Sequence, residues 1–289
     1  MRTRRIPAPV LCVLLAMWGC AMWAAGCGVR PPMLGGDEAP MVAGRAGIAC
    51  QVAETQSEPP NPAGPRTIRL GHSVEGTPLV LHLFGRGDGG TLVIGGIHGD
   101  EPNGADVAQR LLEHLEAEPG ARDGPPVAIL PQANPDGLAR GTRGNARGVD
   151  VNRNFPAANW RRLEPGHRYY GGRWPASEPE TCAVLIAIRL TRPERIIAIH
   201  AISGGRHCNN FDGPAEDLAR AMSALNGYPV VASLGPCHGS LGNWAGVDGG
   251  IPILTLELPR LLPGPDAWDQ NRDALLEAIG LGRFIPVAR

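Results

Sequence analysis

Four residues whose side chains can bind a metal or move a proton stand at the ends of short apolar runs: His98, Glu101, His200 and Glu257. His98 and Glu101 lie three residues apart after one run, and the other two end two further runs. An imidazole and a carboxylate at this spacing on a strand-to-helix turn can face one point, and a second imidazole from a neighbouring strand would complete a His-Glu-His set. Three protein ligands with one open position are typical of a catalytic zinc site. The spacing therefore favours one bound zinc ion per chain.

Glycines and polar motifs surround this set. Gly95, Gly96 and Gly99 allow a tight backbone turn around His98. In chain order, the segments GGIHGDEPNG, NPDG, TRGN, GVDVNRNFP, SEPET, AIHA and TLELP follow one another. On these segments the chain resembles the M14 zinc carboxypeptidases, in particular the branch that includes the murein peptide amidases. The resemblance covers most of residues 67–289 and is specific because several separate segments agree in order.

The resemblance implies a role for each residue of the central set. His98, Glu101 and His200 match the zinc ligands, and Glu257 matches the general base. Asp150 matches the carboxylate that orients the first histidine. Physical chemistry agrees with these roles, because zinc lowers the pKa of water, a nearby carboxylate can move the proton, and a hydrogen bond to the second ring nitrogen fixes a histidine tautomer.

Three further matches concern the substrate. Asn152 and Arg153 match the pair that binds the substrate's terminal carboxylate, for which a planar guanidinium is well shaped. Arg143 matches the arginine that polarises the scissile carbonyl. Arg140 and Arg147 lie on the same loop, so a solvated basic loop is the competing interpretation of Arg143.

The chain departs from the family at a mobile tyrosine that the larger members carry before the catalytic glutamate. No tyrosine occurs between Gly235 and Glu257. His238, Ser240 and Asn243 are the polar residues that could replace it, and the sequence does not choose among them.

The resemblance also indicates where substrate specificity lies. Residues 240–244 match the side-chain pocket, with the uncharged Gly242 at its base. Residues 169–172 are expected to line the cleft, and packing of a turn is the alternative interpretation. Asp212 and Asp248 are the alternatives for meeting a distal amine. The implied reaction is zinc-dependent hydrolysis of an amide bond next to a free carboxylate in a small peptide. The γ-D-glutamyl–diaminopimelate bond of murein peptides is the bond we favour.

Other functions remain open from the sequence alone. A general metallocarboxypeptidase that releases C-terminal residues from peptides would carry the same motifs. Aspartoacylase-type deacylases share a GxHGxE motif and an Asn-Arg pair, but the NPDG and TLELP segments argue against them. A non-catalytic binding lipoprotein of the cell envelope is the alternative of another class, against which the complete ligand set argues.

Apolar patterns predict the elements that must position these residues. Predicted strands cover 79–84, 91–97, 127–130, 195–200 and 251–258, and predicted helices cover 105–115, 183–190, 214–225 and 268–279. Short buried strands alternating with helices predict a three-layer α/β/α sandwich with a mixed, mostly parallel central sheet. In such sheets ligands bind at the carboxyl ends of the strands. The 289 residues, 43% of them hydrophobic, suffice for one large core, and the net charge of -1 leaves no nucleic-acid footprint.

The N-terminal segment 1–27 has the features of a signal peptide: arginines, an uncharged apolar run, and small residues before Cys27. This cysteine stands where bacterial lipoproteins are lipidated, which would give the protein a membrane contact. A cleaved soluble form and an uncleaved anchor are the alternatives, and all three predict export to the cell envelope. Residues 28–66, rich in Gly, Pro and Ala, are predicted to form a flexible tether, and residues 67–289 the catalytic domain.

Four cysteines follow the signal segment: Cys50, Cys182, Cys208 and Cys237. An oxidising compartment permits disulfides. We expect Cys208 to pair with Cys237, because both flank the segment between the third metal ligand and the final strand. The alternative is four buried thiols.

Overall fold

Eight strands form one sheet in the part of the chain that the structure describes. This computed structural model describes Cys50 and residues 66–280, apart from 88 and 236. The strands are β1 (Arg66–His72), β2 (Pro78–Phe84), β3 (Thr91–Ile94), β4 (Val127–Leu130), β5 (Arg195–Ile202), β6 (Cys208–Asp212), β7 (Val230–Val231) and β8 (Ile253–Pro259). They are hydrogen-bonded in the order β1-β2-β4-β3-β5-β8-β6-β7.

The centre of the sheet is parallel. β4, β3, β5 and β8 run in one direction, whereas the pairs β1–β2, β2–β4 and β6–β8 are antiparallel. Every residue of β3 and β4 is buried, as expected for parallel strands that are covered on both faces. Because the carboxyl ends of parallel strands meet at one edge, β3, β5 and β8 deliver their last residues to the same place.

Helices cover both faces of this sheet. The five α-helices of the described residues are α1 (Pro102–Ala117), α2 (Pro135–Arg140), α3 (Pro179–Thr191), α4 (Glu216–Asn226) and α5 (Gly264–Ala278). α1, α4 and α5 share one core through residues such as Leu111 and Leu275, and α3 belongs to a second core through Val184. Val93 of β3 lies in the first core and Ile94 in the second, because neighbouring strand residues point to opposite faces. The predicted three-layer sandwich with a mixed central sheet is confirmed.

Two strand boundaries differ from the predicted ones in a way that matters for the site. β3 stops three residues early, where the chain turns through Gly96 with a φ of 64°. β5 continues to Ile202, so His200 lies within the strand rather than at its end. Glu257 likewise lies within β8, where it is the ladder partner of His200.

Three strands have no counterpart among the predicted elements: β1, β6 and β7. β6 has the sequence CNNFD, whose polar residues give no apolar run, and it pairs with β8 and with the two-residue β7. β6 extends the sheet beyond the parallel centre. Its residues therefore stand beside β8 and the residues that β8 presents.

The expected disulfide between Cys208 and Cys237 is wrong. Cys50 is bonded to Cys182, with the Cα atoms 5.4 Å apart, whereas Cys208 and Cys237 are free thiols. Cys208 is held in β6 opposite Glu257, while Cys237 lies on a loop that lines a cavity. The observed bond links a residue of the predicted tether to α3.

The predicted signal segment 1–27 lies outside the described residues, as does the predicted tether 28–66 apart from Cys50 and Arg66. Within the described part of the chain, no helix combines the length and the apolar character needed to cross a membrane.

Replacing Cys182 with serine should lower the free energy of unfolding by about 2–4 kcal/mol, because the disulfide would no longer restrict the unfolded chain. Urea unfolding of the oxidised protein measures this difference. Cys237→Ser removes a free thiol and is the matched control, which should change stability by much less. A peptide map under non-reducing conditions that joined Cys208 to Cys237 would contradict the assignment.

Candidate metal centre and substrate cleft

The turn after β3 places His98 and Glu101 at the edge of the sheet. Glu101 directly precedes α1, and its backbone N–H donates to the His98 carbonyl at 3.2 Å. A side chain at Gly99 would overlap the backbone of Gly137 in α2, so only glycine permits this approach. The Asn134 side chain accepts from the Gly137 N–H at 3.0 Å and donates to the carbonyl that precedes His98 at 3.2 Å. The NPDG motif therefore supports the turn.

The strands β5 and β8 bring the second histidine to this turn. His200 Nδ1 lies 3.0 Å from Glu101 Oε2 and 3.1 Å from His98 Nδ1. His98 Nδ1 in turn lies 3.1 Å from Glu101 Oε1. Glu257 stands beside this group as the ladder partner of His200. The structure thus brings together the three residues that the sequence predicted as ligands, with the predicted base next to them.

The three side chains fit a metal ion. Each is buried and offers one ligand atom, and these atoms all lie within 4.8 Å of one another. Two imidazole nitrogens and one carboxylate oxygen form a donor set suited to zinc, with a fourth position open for water or substrate. His98, Glu101 and His200 could therefore hold a zinc ion.

Asp150 binds the outer side of His98. Its Oδ1 lies 3.0 Å from His98 Nε2 and accepts from the Asn152 backbone N–H at 3.0 Å. Its Oδ2 accepts from Nε of Arg143 at 2.8 Å. In the tautomer that carries its proton on Nε2, His98 donates to this carboxylate and the lone pair of Nδ1 is available to a metal.

Electrostatics in this centre favour a cation. Burial disfavours a charged His98, but the carboxylates of Glu101 and Asp150 outweigh burial and raise the His98 pKa to about 9. Burial also opposes ionisation of these two carboxyls, yet His98 holds the pKa of both below the usual range. Glu257 differs, because burial raises its pKa. A raised carboxyl pKa suits a group that exchanges a proton near neutral pH.

One of the three loop arginines reaches the centre. Besides its bond to Asp150, the Arg143 guanidinium lies 3.5 Å from Glu101 Oε1, and its side chain is 15% exposed. Arg140 and Arg147 pair instead with glutamates outside the centre and are more exposed. The interpretation as a solvated basic loop fits those two residues but not Arg143.

A polar scaffold holds the loop that carries Arg143 and Asp150. The side-chain amide of Asn145 donates to Glu178 Oε2 at 2.8 Å and to Glu180 Oε2 at 2.9 Å. Both glutamates are almost fully buried, as is the asparagine. The TRGN and SEPET motifs are therefore joined by these hydrogen bonds, which hold the loop that carries Arg143 and Asp150.

Asn152 and Arg153 follow in a short helical turn and border the cleft. The Asn152 Oδ1 accepts from the Leu241 N–H at 2.9 Å, which joins this turn to the predicted pocket loop. Arg153 lines a cavity that it shares with Arg161 and residues of the loop near 235. Arg153 thus faces open space, whereas the Asn152 side chain is bound to the pocket loop.

An aromatic ring lies beside both arginines that face the cleft. The Tyr169 ring centroid is 5.1 Å from Cζ of Arg153 and 5.4 Å from Cζ of Arg143, distances typical of cation–π contacts. Among the three predicted replacements for the missing tyrosine, His238 lines the same cavity as Arg153. The serine and the asparagine hydrogen-bond to each other at 3.2 Å.

Arg260 belongs to the centre although the sequence pattern did not reveal it. Its guanidinium contacts Asp100 Oδ2 at 2.6 Å and lies 3.8 Å from Glu101 Oε1. It also donates to the Asp100 carbonyl at 2.7 Å, which fixes the turn between the first two predicted ligands. The signal was weak, because it consists of a single arginine directly after the TLELP segment.

Comparisons with known proteins agree with this geometry. The sequence model of the zinc carboxypeptidase family matches residues 55–205. Murein peptide amidase A of Escherichia coli (strain K12) is 34% identical over 214 residues, which cover 68% of this chain and 82% of that protein. Murein peptide amidase A of Vibrio campbellii is 31% identical over 212 residues, covering 65% of this chain and 77% of that protein. The crystal structure of the murein-tripeptide amidase MpaA from Escherichia coli O157 aligns with a TM-score of 0.61 and 28% identity, covering 80% of this chain and 95% of that chain.

Fold and site together define a metallohydrolase. The chain belongs to the zinc carboxypeptidase family. It is therefore a hydrolase of the metallopeptidase type, a class that contains both carboxypeptidases and peptide amidases, and the resemblance stated from its motifs is confirmed.

Asp150→Asn should weaken zinc binding by about 10- to 100-fold, because an amide accepts a weaker hydrogen bond from His98 and can present an N–H in its place. Competition for zinc with a chromogenic chelator measures the affinity. Asp269→Asn, at an exposed position on α5, is the matched control and should bind zinc like the wild type. Unchanged affinity in Asp150→Asn would show that Asp150 does not orient a ligand.

Proposed function

We propose that this protein hydrolyses the amide bond next to a free carboxylate in a small peptide, and that this bond is the γ-D-glutamyl–diaminopimelate bond of murein peptides. One observation carries the proposal. The carboxylate of Asp150 contacts both His98 and the backbone of Asn152. A substrate carboxylate bound by Asn152 and Arg153 would therefore lie directly beside the metal centre.

In this proposal His98, Glu101 and His200 hold one zinc ion. A bound zinc ion supplies a Lewis acid that polarises a carbonyl group and lowers the pKa of water. The buried donor set supports the assignment, and so does the contact of His98 Nε2 with Asp150, because a proton held there leaves Nδ1 available to the metal.

Glu257 is the residue we assign to proton movement. It is partly buried next to His200, and burial raises its pKa. Its carboxylate accepts a proton from the attacking water and passes that proton to the nitrogen of the leaving amine. The water oxygen bonds to the carbonyl carbon, the C–N bond breaks, the neutral amine departs with the transferred proton, and Glu257 returns to the carboxylate form.

Two arginines are assigned to the anionic groups of the substrate. Arg143 stabilises the negative charge that develops on the scissile carbonyl oxygen, a contribution of about 3–4 kcal/mol for one donor in known cases. Its bond to Asp150 holds the guanidinium in place before the substrate arrives. Arg153 can form two parallel hydrogen bonds to the substrate carboxylate, with Asn152 beside it.

The choice of a murein peptide has two supports. The two curated relatives above are named murein peptide amidases, and they match about two thirds of this chain. The N-terminal segment has the features of an export signal, and murein is a polymer of the cell envelope. We accordingly propose that the protein acts in the envelope, with a lipid on Cys27 as its membrane contact.

Two alternatives make different use of the same residues. A general metallocarboxypeptidase would differ only in the bond that it cleaves. A non-catalytic binding lipoprotein would need the metal ligands and the carboxylate-binding pair but not a partly buried carboxylate beside His200. The presence of Glu257 at that position therefore supports an enzyme.

The cleaved bond can be identified directly. The purified protein, loaded with zinc, is incubated with L-alanyl-γ-D-glutamyl-diaminopimelate and separately with a blocked L-dipeptide, and the products are identified by mass spectrometry. We expect release of diaminopimelate from the tripeptide and little release from the dipeptide. Cleavage of the dipeptide alone would favour a general carboxypeptidase, and cleavage of neither would favour a binding protein.

Glu257→Gln should lower kcat by at least about 100-fold, since the amide cannot accept the proton, while the zinc content stays the same. Steady-state kinetics and metal analysis of the same preparation measure both quantities. Glu113→Gln, at an exposed position on α1, is the matched control. Hydrolysis by Glu257→Gln at the wild-type rate would exclude Glu257 as the base.

A further inference from the structure

The cavity that Arg153 lines has a positively charged wall. Its volume is about 160 Å³, which leaves room for a carboxylate together with several carbon atoms. Two of its described lining residues, Arg153 and Arg161, carry a permanent positive charge, and His238 adds ring nitrogens that can form hydrogen bonds. None of the described residues that line the cavity is acidic. A cleft lined by one sign of charge attracts ligands of the opposite sign, so this cavity favours anions.

Arg161 is not neutralised by the protein itself. Among the residues that the structure describes, no carboxylate forms an ion pair with its guanidinium. The three loop arginines differ in this respect, because Arg143 pairs with Asp150 and the other two pair with glutamates. The Arg161 side chain is therefore available to an anion that enters the cavity from outside.

The positive charge extends from the cavity towards the metal centre through Tyr169. This ring also lines the cavity, and its centroid lies 5.1 Å from Cζ of Arg153, 5.4 Å from Cζ of Arg143 and 5.9 Å from Cζ of Arg168. Within the described part of the chain, Arg143 is the one member of this trio that forms ion pairs with carboxylates. The region thus carries more positive charge than one substrate carboxylate would neutralise.

The backbone before Arg161 is held against the cavity loop. The N–H of Gly239 donates to the Asn159 side chain at 3.0 Å. A Cβ at Gly239 would lie 2.5 Å from the Arg153 carbonyl oxygen and 2.7 Å from Cδ1 of Trp160, so the loop and this segment pack tightly. Because Arg161 directly follows Trp160, the starting point of its side chain is fixed relative to Arg153.

We infer that Arg161 determines specificity by binding a second carboxylate of the substrate, distinct from the one assigned to Arg153. The inference rests on the proposed function, which brings a peptide carboxylate to Arg153 and hence to this cavity. One guanidinium can bind both oxygens of a carboxylate, so Arg161 is left for another. A murein peptide offers two more: the α-carboxylate of D-glutamate, which a γ-linkage leaves free, and the carboxylate at the far end of diaminopimelate.

Three tripeptides distinguish the two sources. The first is L-alanyl-γ-D-glutamyl-diaminopimelate. The second has the α-carboxylate of D-glutamate converted to an amide, and the third has lysine, which lacks only the distal carboxylate of diaminopimelate. Removing the carboxylate that Arg161 binds should raise KM by roughly 5- to 30-fold, because a charged hydrogen bond is lost at a side chain that is partly screened by water. Removing the other should change KM much less.

Arg161→Gln should raise the KM of the first tripeptide by the same factor and should abolish the difference between it and the tripeptide without the bound carboxylate. Arg161→Lys keeps the charge and should recover part of the affinity. Arg162→Gln is the matched control, because Arg162 is an exposed neighbour that does not line the cavity. An equal rise of KM for all three tripeptides in Arg161→Gln, or no rise, would overturn the inference.

Failure of the proposed function would be seen separately. Cleavage of blocked L-dipeptides alone would show that the proposed bond is wrong, and dipeptides that end in glutamate or in glutamine would then replace the tripeptides in the same comparison. With no cleavage of any peptide, calorimetric titration of the three tripeptides into the wild type and Arg161→Gln measures Kd instead. Equal values with and without each second carboxylate in the wild type would again exclude the role of Arg161.

Discussion

The contact between His98 and Asp150 is the interaction on which the rest of the site depends. One oxygen of this buried carboxylate binds the imidazole and the N–H of Asn152, and the other binds the Arg143 guanidinium. A single group therefore sets the orientation of a proposed metal ligand, of the arginine assigned to the carbonyl oxygen, and of the turn that reaches the substrate carboxylate. All three groups bind this one carboxylate in a low-dielectric environment. A substitution at Asp150 would therefore disturb the position of all three.

The parallel centre of the sheet explains how residues distant in sequence meet at this anchor. β3 and β5 are neighbours, and so are β5 and β8, so that three carboxyl ends lie side by side. β8 also pairs with β6 on its other edge. The strand that presents Glu257 is thus flanked by the strand that presents His200 and by the strand that presents Asp212. His200 and Glu257 therefore share one face of the sheet.

The parts of this structure that the sequence predicts are those whose pattern lies within a few neighbouring residues. The apolar run of β4 and the His-x-x-Glu turn among glycines could be recognised within a few residues. β6 could not, because polar residues occupy a strand whose pairing is decided by its neighbours. The disulfide could not either, since Cys50 and Cys182 are separated by 132 residues and sequence spacing carries no information on their contact. The position of Arg260 beside Glu101 depends on tertiary structure in the same way.

Charge balance in the centre argues for a divalent ion. The charged groups of the centre are the carboxylates of Asp100, Glu101, Asp150 and Glu257 and the guanidiniums of Arg143 and Arg260. With Glu257 ionised, two negative charges are left over, and buried charges require compensation. Two of these carboxylates, Glu101 and Asp150, raise the His98 pKa to about 9 against the effect of burial, and a divalent cation would balance the excess negative charge. Arg153 lines the neighbouring cavity, where its guanidinium can pair with an anionic group of a substrate.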